Sequence, residues 1–308
     1  MNGAHVSLLA VGSVAFDDLE TPFGRREKIL GGSASYFSLA ASQFRSVDIV
    51  AVVGQDFGPE HFGVFAGRPI GLEGLVQVPG KSFHWKGSYG HDLNEAKTLE
   101  THLNVFAGFQ PVLPERHREA SFLFLGNIDP VLQLDVVRQM SRRPRWIALD
   151  TMNFWIEGAN AALLAVLKEV DILLVNETEA RSLSGERNLV KAYQKIQALG
   201  PRVLVVKRGE YGVSLFTPEG CFMAPAFPLE EVHDPTGAGD TFAGGFLGHL
   251  ATLETLDLQG MKQAVLTGTI MASFTVEAFG TTKLQSLTTE RIQERRQLFS
   301  DMIQVSGN

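Results

Sequence analysis

Hydrophobic positions along this chain gather into short β-branched runs: "HVSLLAVG", "VDIVAVVG", and later "SFLFLGN", "RWIALD", "DILLVN" and "RVLVVKRG". Between them lie stretches with helical spacing, "SASYFSLAASQF" early, then "PVLQLDVVRQM", "ANAALLAVLKEV" and "NLVKAYQKIQAL". This alternation predicts parallel strands joined by crossover helices, hence an α/β fold with a doubly wound, mostly parallel sheet flanked by helices. In such sheets ligands sit beyond the carboxyl ends of the strands. The residues that close each run, Gly12, Gly54, Gly126, Asn127, Asp150, Asn176, Lys207 and Gly209, are therefore the first candidates for a site.

Residues 76 to 106 break the alternation. The segment "VQVPGKSFHWKGSYGHDLNEAKTLETHLNVF" alternates polar and apolar side chains, carries aromatics and lacks a convincing helix. It predicts a small antiparallel β lid on one domain that spans residues 1 to 308. Phe83, Trp85 and Tyr89 suit stacking on a ligand ring, and equally suit packing against the main domain. Side chains alternate along a strand, so only some of them can face a ligand.

Composition narrows the partner. With 308 residues, 44% hydrophobic and 20% charged, the chain can bury a substantial core. A formal charge of −7, with no basic run longer than "RR", argues against nucleic acid and for a small-molecule ligand. The single cysteine, Cys221, has no internal partner for a disulfide, and "MNGAHVSLLAVGS" lacks a basic leader. The apolar run "QAVLTGTIMASFTV" is too short to cross a bilayer and predicts a buried helix. The expectation is a cytoplasmic protein without a membrane partner.

The chemistry concentrates in "HDPTGAGDTFAGGF", residues 233 to 246. Gly237, Ala238 and Gly239 have little or no side chain, so their amides can converge on an anion. The helix that follows places this turn at an N-terminus, where unpaired donors favour phosphate. Gly244 and Gly248 give that helix a close-packing face. An acid in such a turn, Asp240, repels an incoming phosphate unless it has a proton to accept or a metal nearby. Phosphoryl transfer reconciles the two: Asp240 takes the proton of an attacking hydroxyl while the amides hold the moving phosphoryl group. The helix terminus is expected to lower the pKa of Asp240. A carboxylate that merely caps the helix is the plainer reading of the same residues.

"DPTGAGDTFAGGF" resembles the C-terminal signature of the ribokinase-like (PfkB) carbohydrate kinases. "VGSVAFDD" is similar to the family's first strand and substrate-binding Asp, "GGSASYFSLAA" to its paired-glycine hinge, "LVNETEA" to its Asn-x-x-Glu motif, and "VVKRGEYG" to the turn beside the nucleotide. The resemblance implies an ATP-dependent kinase acting on a hydroxyl of a sugar or sugar-containing molecule, with Asp240 as base and Gly237, Ala238 and Gly239 as anion hole. It implies substrate contacts from Asp17, Gly31, Gly32 and Asn127, with Asp18 as a rival for the role of Asp17. Asn176, Lys207, Gly209 and Thr269 would line the nucleotide. Asn176 and Glu179 would organise magnesium through water, although "NETE" also fits a helix-capping box. The backbone carbonyl of Asp234 would hold a monovalent cation, potassium, and a homodimer would form through the lid.

One position departs from the family. Ribose kinases usually carry Asn a few residues after the paired glycines, and here Tyr36 stands there, a ring able to stack on a ligand ring. The acceptor is therefore open between a sugar and a nucleoside, and a catalytically silent sugar- or nucleotide-binding regulator would keep the same fold. "GLVQVPGKS" fails as a phosphate loop of the Walker type because its spacing is one residue too long and a strand follows it. "AVGSVAFDD" lacks the glycine pattern of a dinucleotide-binding turn.

Overall fold

The computed structural model describes residues 7–91, 93 and 96–304. Its strands, in chain order, are β1 (Leu8–Val11), β2 (Ala15–Thr21), β3 (Gly24–Gly31), β4 (Val47–Gly54), β5 (Ile70–Val78), β6 (Phe83–Tyr89), β7 (Ala96–His102), β8 (Phe122–Leu125), β9 (Trp146–Asp150), β10 (Ile172–Asn176), β11 (Val203–Lys207), β12 (Val213–Thr217) and β13 (Gly220–Ala224). Nine of them form one sheet in the order β13-β12-β11-β10-β9-β8-β1-β4-β5. Every strand-like run read from the main-domain sequence lies in it. The pairs from β5 to β11 are parallel, and β12 and β13 add an antiparallel edge that the sequence pattern did not announce.

Consecutive residues of each central strand enter opposite apolar layers. Leu9, Val11, Leu123, Leu125, Leu149 and Val175 join one core. Leu8, Ala10, Phe122, Phe124, Ala148 and Leu174 join the other. Covering both faces makes the strand sequences unbroken in their hydrophobicity. Helix Ala238–Leu250 lies between helices Ser33–Ala41 and Leu258–Thr275, and its glycines permit the approach. A Cβ on Gly244 would stand 2.3 Å from the Phe37 carbonyl oxygen, and one on Gly245 would stand 2.8 Å from Met271 Cγ. Among the described residues no helix is long and apolar enough to cross a membrane.

Strand order reverses at β1, which lies between β4 and β8. The carboxyl ends of β1 and β8 meet there, where the Gly126 amide donates to the Val11 carbonyl at 2.8 Å. The Ser33 hydroxyl fills the gap: a Cβ on Gly12 or Gly126 would stand 2.5 or 2.7 Å from it. Such a reversal opens a crevice for ligand.

The lid is larger than expected from the sequence and differently bounded. It is a four-stranded sheet in the order β3-β2-β6-β7, so the segment 15–31 belongs to it, whereas residues 76–78 end β5 in the large sheet. Its hairpins β2–β3 and β6–β7 are antiparallel, and a parallel pairing of β2 with β6 joins them.

Candidate active site

Gly237 adopts φ 73°, a left-handed conformation open to glycine, immediately before helix Ala238–Leu250. A Cβ there would also fall 2.4 Å from three ring carbons of Tyr36, so the turn rests directly on that ring. The first amides of the helix point out of its mouth without intrahelical partners. Asp240 stands in this first turn and is partly exposed.

Asp234 fixes the turn from behind. Its side chain is fully buried, Oδ1 accepting from the Thr236 amide at 2.9 Å and Oδ2 from the Gly280 amide at 2.8 Å. Each side-chain oxygen thus already accepts one backbone amide. The lid meets the same loop twice. Thr21 Oγ1 donates to the His233 carbonyl at 2.9 Å, and Thr236 Oγ1 donates to the Tyr89 hydroxyl at 3.1 Å.

On the acceptor side the structure separates the two neighbouring acids. Asp18 faces away, accepting from the Lys28 amide at 2.8 Å and lying 3.0 Å from His84 Nε2. Asp17 faces the cleft and is 4% exposed. Burial, then the charges of Asp234, Asp240 and Asp18, push its carboxyl well above the ordinary range. Gly31 lies on the paired strand and makes room for it, because a Cβ at Gly31 would stand 1.8 Å from Asp17 Oδ2. Gly32, at φ 91°, turns the chain into helix Ser33–Ala41.

Tyr36 corrects the sequence reading. The residue is 1% exposed and Gly237 lies against its ring, so it has no face left for stacking on a ligand. Its hydroxyl is buried without a hydrogen-bond partner among the described residues.

A second group of charges stands at the carboxyl ends of β9, β10 and β11. Lys207 Nζ donates to Asp150 Oδ2 at 2.7 Å, and a Cβ on Gly239 would stand 2.9 Å from that nitrogen. Glu179 is buried nearby and forms a capping box with Asn176. Its Oε2 accepts from the Asn176 amide at 2.7 Å, and Asn176 Oδ1 accepts from the Glu179 amide at 2.8 Å. The capping reading of "NETE" is therefore realised. Burial pushes the Glu179 carboxyl up to about 7 against the opposing charge of Lys207.

Asp240 is likewise pushed up to about 7, by burial first and Asp150 second, with Lys207 opposing. This reverses the expectation from the helix terminus: a partial positive charge at the helix mouth is outweighed by desolvation and a full negative charge. A carboxyl in this range is suited to general-base work near neutral pH.

The remaining candidates lie farther from this convergence. Asn127 Oδ1 accepts from Trp155 Nε1 at 3.0 Å, so half of its amide is committed to the protein. Gly209 opens a single exposed turn after β11 at φ 56°. The Thr269 hydroxyl bonds its own helix, donating to the Val265 carbonyl at 3.0 Å, and the residue is buried. The sequence reading counted Asp150 among the run-closing candidates without giving it a role, and left out Thr236. Asp150 closes the apolar run "RWIALD", a positional signal that was present. Thr236 had none beyond its neighbours.

Comparison with known proteins gives one pattern. The model described as "pfkB family carbohydrate kinase" matches residues 8–288. The chain is 29% identical over 249 residues to cytidine kinase of Thermococcus kodakarensis, covering 79% of this chain and 87% of that one. It is 27% identical over 310 residues to 2-dehydro-3-deoxygluconokinase of Thermoproteus tenax, covering 86% and 89%. Among solved structures, nucleoside kinase of Burkholderia thailandensis in complex with inosine superposes with TM-score 0.76 at 18% identity, covering 95% of this chain and 98% of that one.

Proposed function

The chain belongs to the pfkB family of carbohydrate kinases, and from that premise we propose that it transfers the γ-phosphoryl group of ATP to a hydroxyl of a nucleoside or sugar. The observation that carries this reading is that Asp240, in the first turn of the helix after Gly237, is among the charges acting on the buried Asp17. Asp17 accepts hydrogen bonds from the acceptor and orients it. Asp240 removes the proton of the attacking hydroxyl, and the amides of Gly237, Ala238 and Gly239, of which that of Ala238 now donates to the Pro235 carbonyl at 3.2 Å, hold charge on the phosphoryl group in flight. The lid, tied to the same loop by Thr21 and Tyr89, keeps water from competing as acceptor.

The nucleotide runs along the ends of β10 and β11, past Asn176, Lys207 and Gly209. Asp150, Glu179 and Asp240 set three carboxylates against the one ammonium of Lys207. That imbalance suits a divalent cation bound to phosphates. Among the described residues no group of three or more acidic, His or Cys side chains forms a metal cage. Magnesium, which keeps several waters, fits as an ion held through water by Glu179 and Asn176, where it would neutralise phosphate charge. Potassium would be held at the backbone carbonyl of Asp234. An ATP donor accords with the cytoplasmic setting read from the sequence.

A nucleoside is the acceptor that the site favours. In the β2–β6 register Asp17 pairs with Trp85, so an indole shares the lid face with the residue that holds the sugar hydroxyls. The similarity to a cytidine kinase over most of both chains points the same way. ADP release measured across neutral nucleosides and sugars tests the reading. Tight binding of a member of the panel with no ADP from any of them would turn the assignment to a regulatory binding protein.

A further inference from the structure

The acceptor end of the cleft has an unusual balance of donors and charges. Asp17 receives no hydrogen bond from a described residue, and the charges acting on it, Asp234, Asp240 and Asp18, are all negative. Several of the lid's cations are engaged elsewhere, Lys28 among them, over the Phe16 ring. Lys86 pairs with Glu100 at 2.8 Å and His84 with Asp18 at 3.0 Å. Both alternate with Trp85 along β6 and so lie on the face away from Asp17. Arg26 is exposed and lies over the Phe279 ring, and Lys207 is held by Asp150. Two hydroxyls keep a hydrogen to donate: that of Tyr89, which accepts from Thr236 Oγ1, and that of Tyr36, which alone is fully buried with no partner at all among the described residues and is set among Asp17, Asp234, Tyr89 and Asp240.

A buried hydroxyl without a partner is destabilising, and it persists where a ligand completes it. Its surroundings specify that ligand. A molecule rich in hydroxyls can donate to Asp17 and accept from Tyr36. A carboxylate or phosphate on the acceptor would meet a cluster of acids already pushed toward their neutral forms by one another and by burial, and no cation is among the charges acting on Asp17.

Building on the kinase reading above, we propose that this subsite selects uncharged polyhydroxyl acceptors over sugar acids and sugar phosphates, with Tyr36 determining specificity by donating its hydroxyl to an oxygen of the bound acceptor. Similarity to relatives leaves this choice open, because one is named for a neutral nucleoside and another for a sugar acid.

Calorimetric binding without ATP, alongside kinetics, tests the proposal on the wild type and on Tyr36→Phe. The probes are cytidine, inosine and ribose, the deoxy forms of cytidine, a sugar acid (2-dehydro-3-deoxygluconate) and a sugar phosphate (ribose 1-phosphate). The expected result is a neutral probe that binds at least about a hundredfold tighter than either anion. Tyr36→Phe should weaken that probe about tenfold through KM, with kcat within about twofold. One deoxy form should lose affinity on the wild type and lose none further on Tyr36→Phe. An anion that binds as tightly as the neutral probes, no neutral probe binding, or a Tyr36→Phe protein with unchanged affinity and a higher melting temperature would each overturn it. Failure of the kinase reading looks different: the binding pattern would hold while no ADP appears.

Discussion

Lys207 and Asp150 are joined by a 2.7 Å hydrogen bond, and the ammonium of that pair stands beside Gly239, one residue before the proposed base. The pair ties the ends of β9 and β11 to the mouth of helix Ala238–Leu250. It also decides how acidic that mouth is: Asp150 raises the Asp240 carboxyl while Lys207 restrains it.

The first expectation concerns pH. A base works only when deprotonated, so a carboxyl standing at about 7 makes kcat/KM rise with pH through that value. Asp150→Asn removes a negative charge that raises Asp240 and frees the Lys207 ammonium to favour the carboxylate. The rising limb should move to lower pH. A limb that stays in place would remove Asp150 from the electrostatics of the base.

Asp240→Asn keeps shape and removes basicity. Turnover should fall about a hundredfold or more while ATP affinity stays within about twofold, as measured by steady-state kinetics and nucleotide titration. Weakened ATP binding with unchanged turnover would contradict the role.

Glu179→Gln separates metal from architecture. Glutamine at this helix position still completes a capping box, so the melting temperature should change little. The magnesium concentration for half-maximal rate should rise several-fold. An identical magnesium titration would place Glu179 among the structural caps alone.

Gly31→Ala tests Asp17 without touching it. The new methyl carbon would fall 1.8 Å from Asp17 Oδ2, so the carboxylate must move. The acceptor KM should rise more than about tenfold, ATP affinity should hold, and stability should drop by about 1–3 kcal/mol, the range for overpacking. Equal effects on both substrates would point to general unfolding of the lid.

Assembly is the fifth expectation. Strand β7 is an edge of the lid sheet and every one of its residues is exposed. An open edge invites pairing with another copy. The proposed lid-mediated homodimer should sediment as a dimer at micromolar concentration, and a monomer under those conditions with acceptor present would dismiss it.

How much was legible follows from what the sequence can encode locally. The unbroken runs and glycine turns mark the large sheet and the glycine turn at the mouth of helix Ala238–Leu250 because those features depend on short windows. The hairpin 15–31 was hidden because β3, "GRREKILG", is charged and mostly exposed and shows little apolar alternation. The direction of the Asp240 shift was misread because it depends first on burial and then on Asp150 and Lys207, which are distant in sequence and meet only in the fold. Tyr36 was read as a free ring because nothing nearby in the chain announces that Gly237 will lie on it.

The parallel seam between β2 and β6 makes the cap a product of two separate visits by the chain, with residues 32 to 82 travelling through the main body between them. Such a cap cannot be excised or transplanted as a cassette, since cutting at either visit leaves half of it without a partner. During folding its seam closes only after β4 and β5 have taken their places, so this cover should be among the last parts to form and the first to open. Exchange of acceptor specificity between relatives would therefore require altering side chains on a retained cover rather than swapping the cover itself.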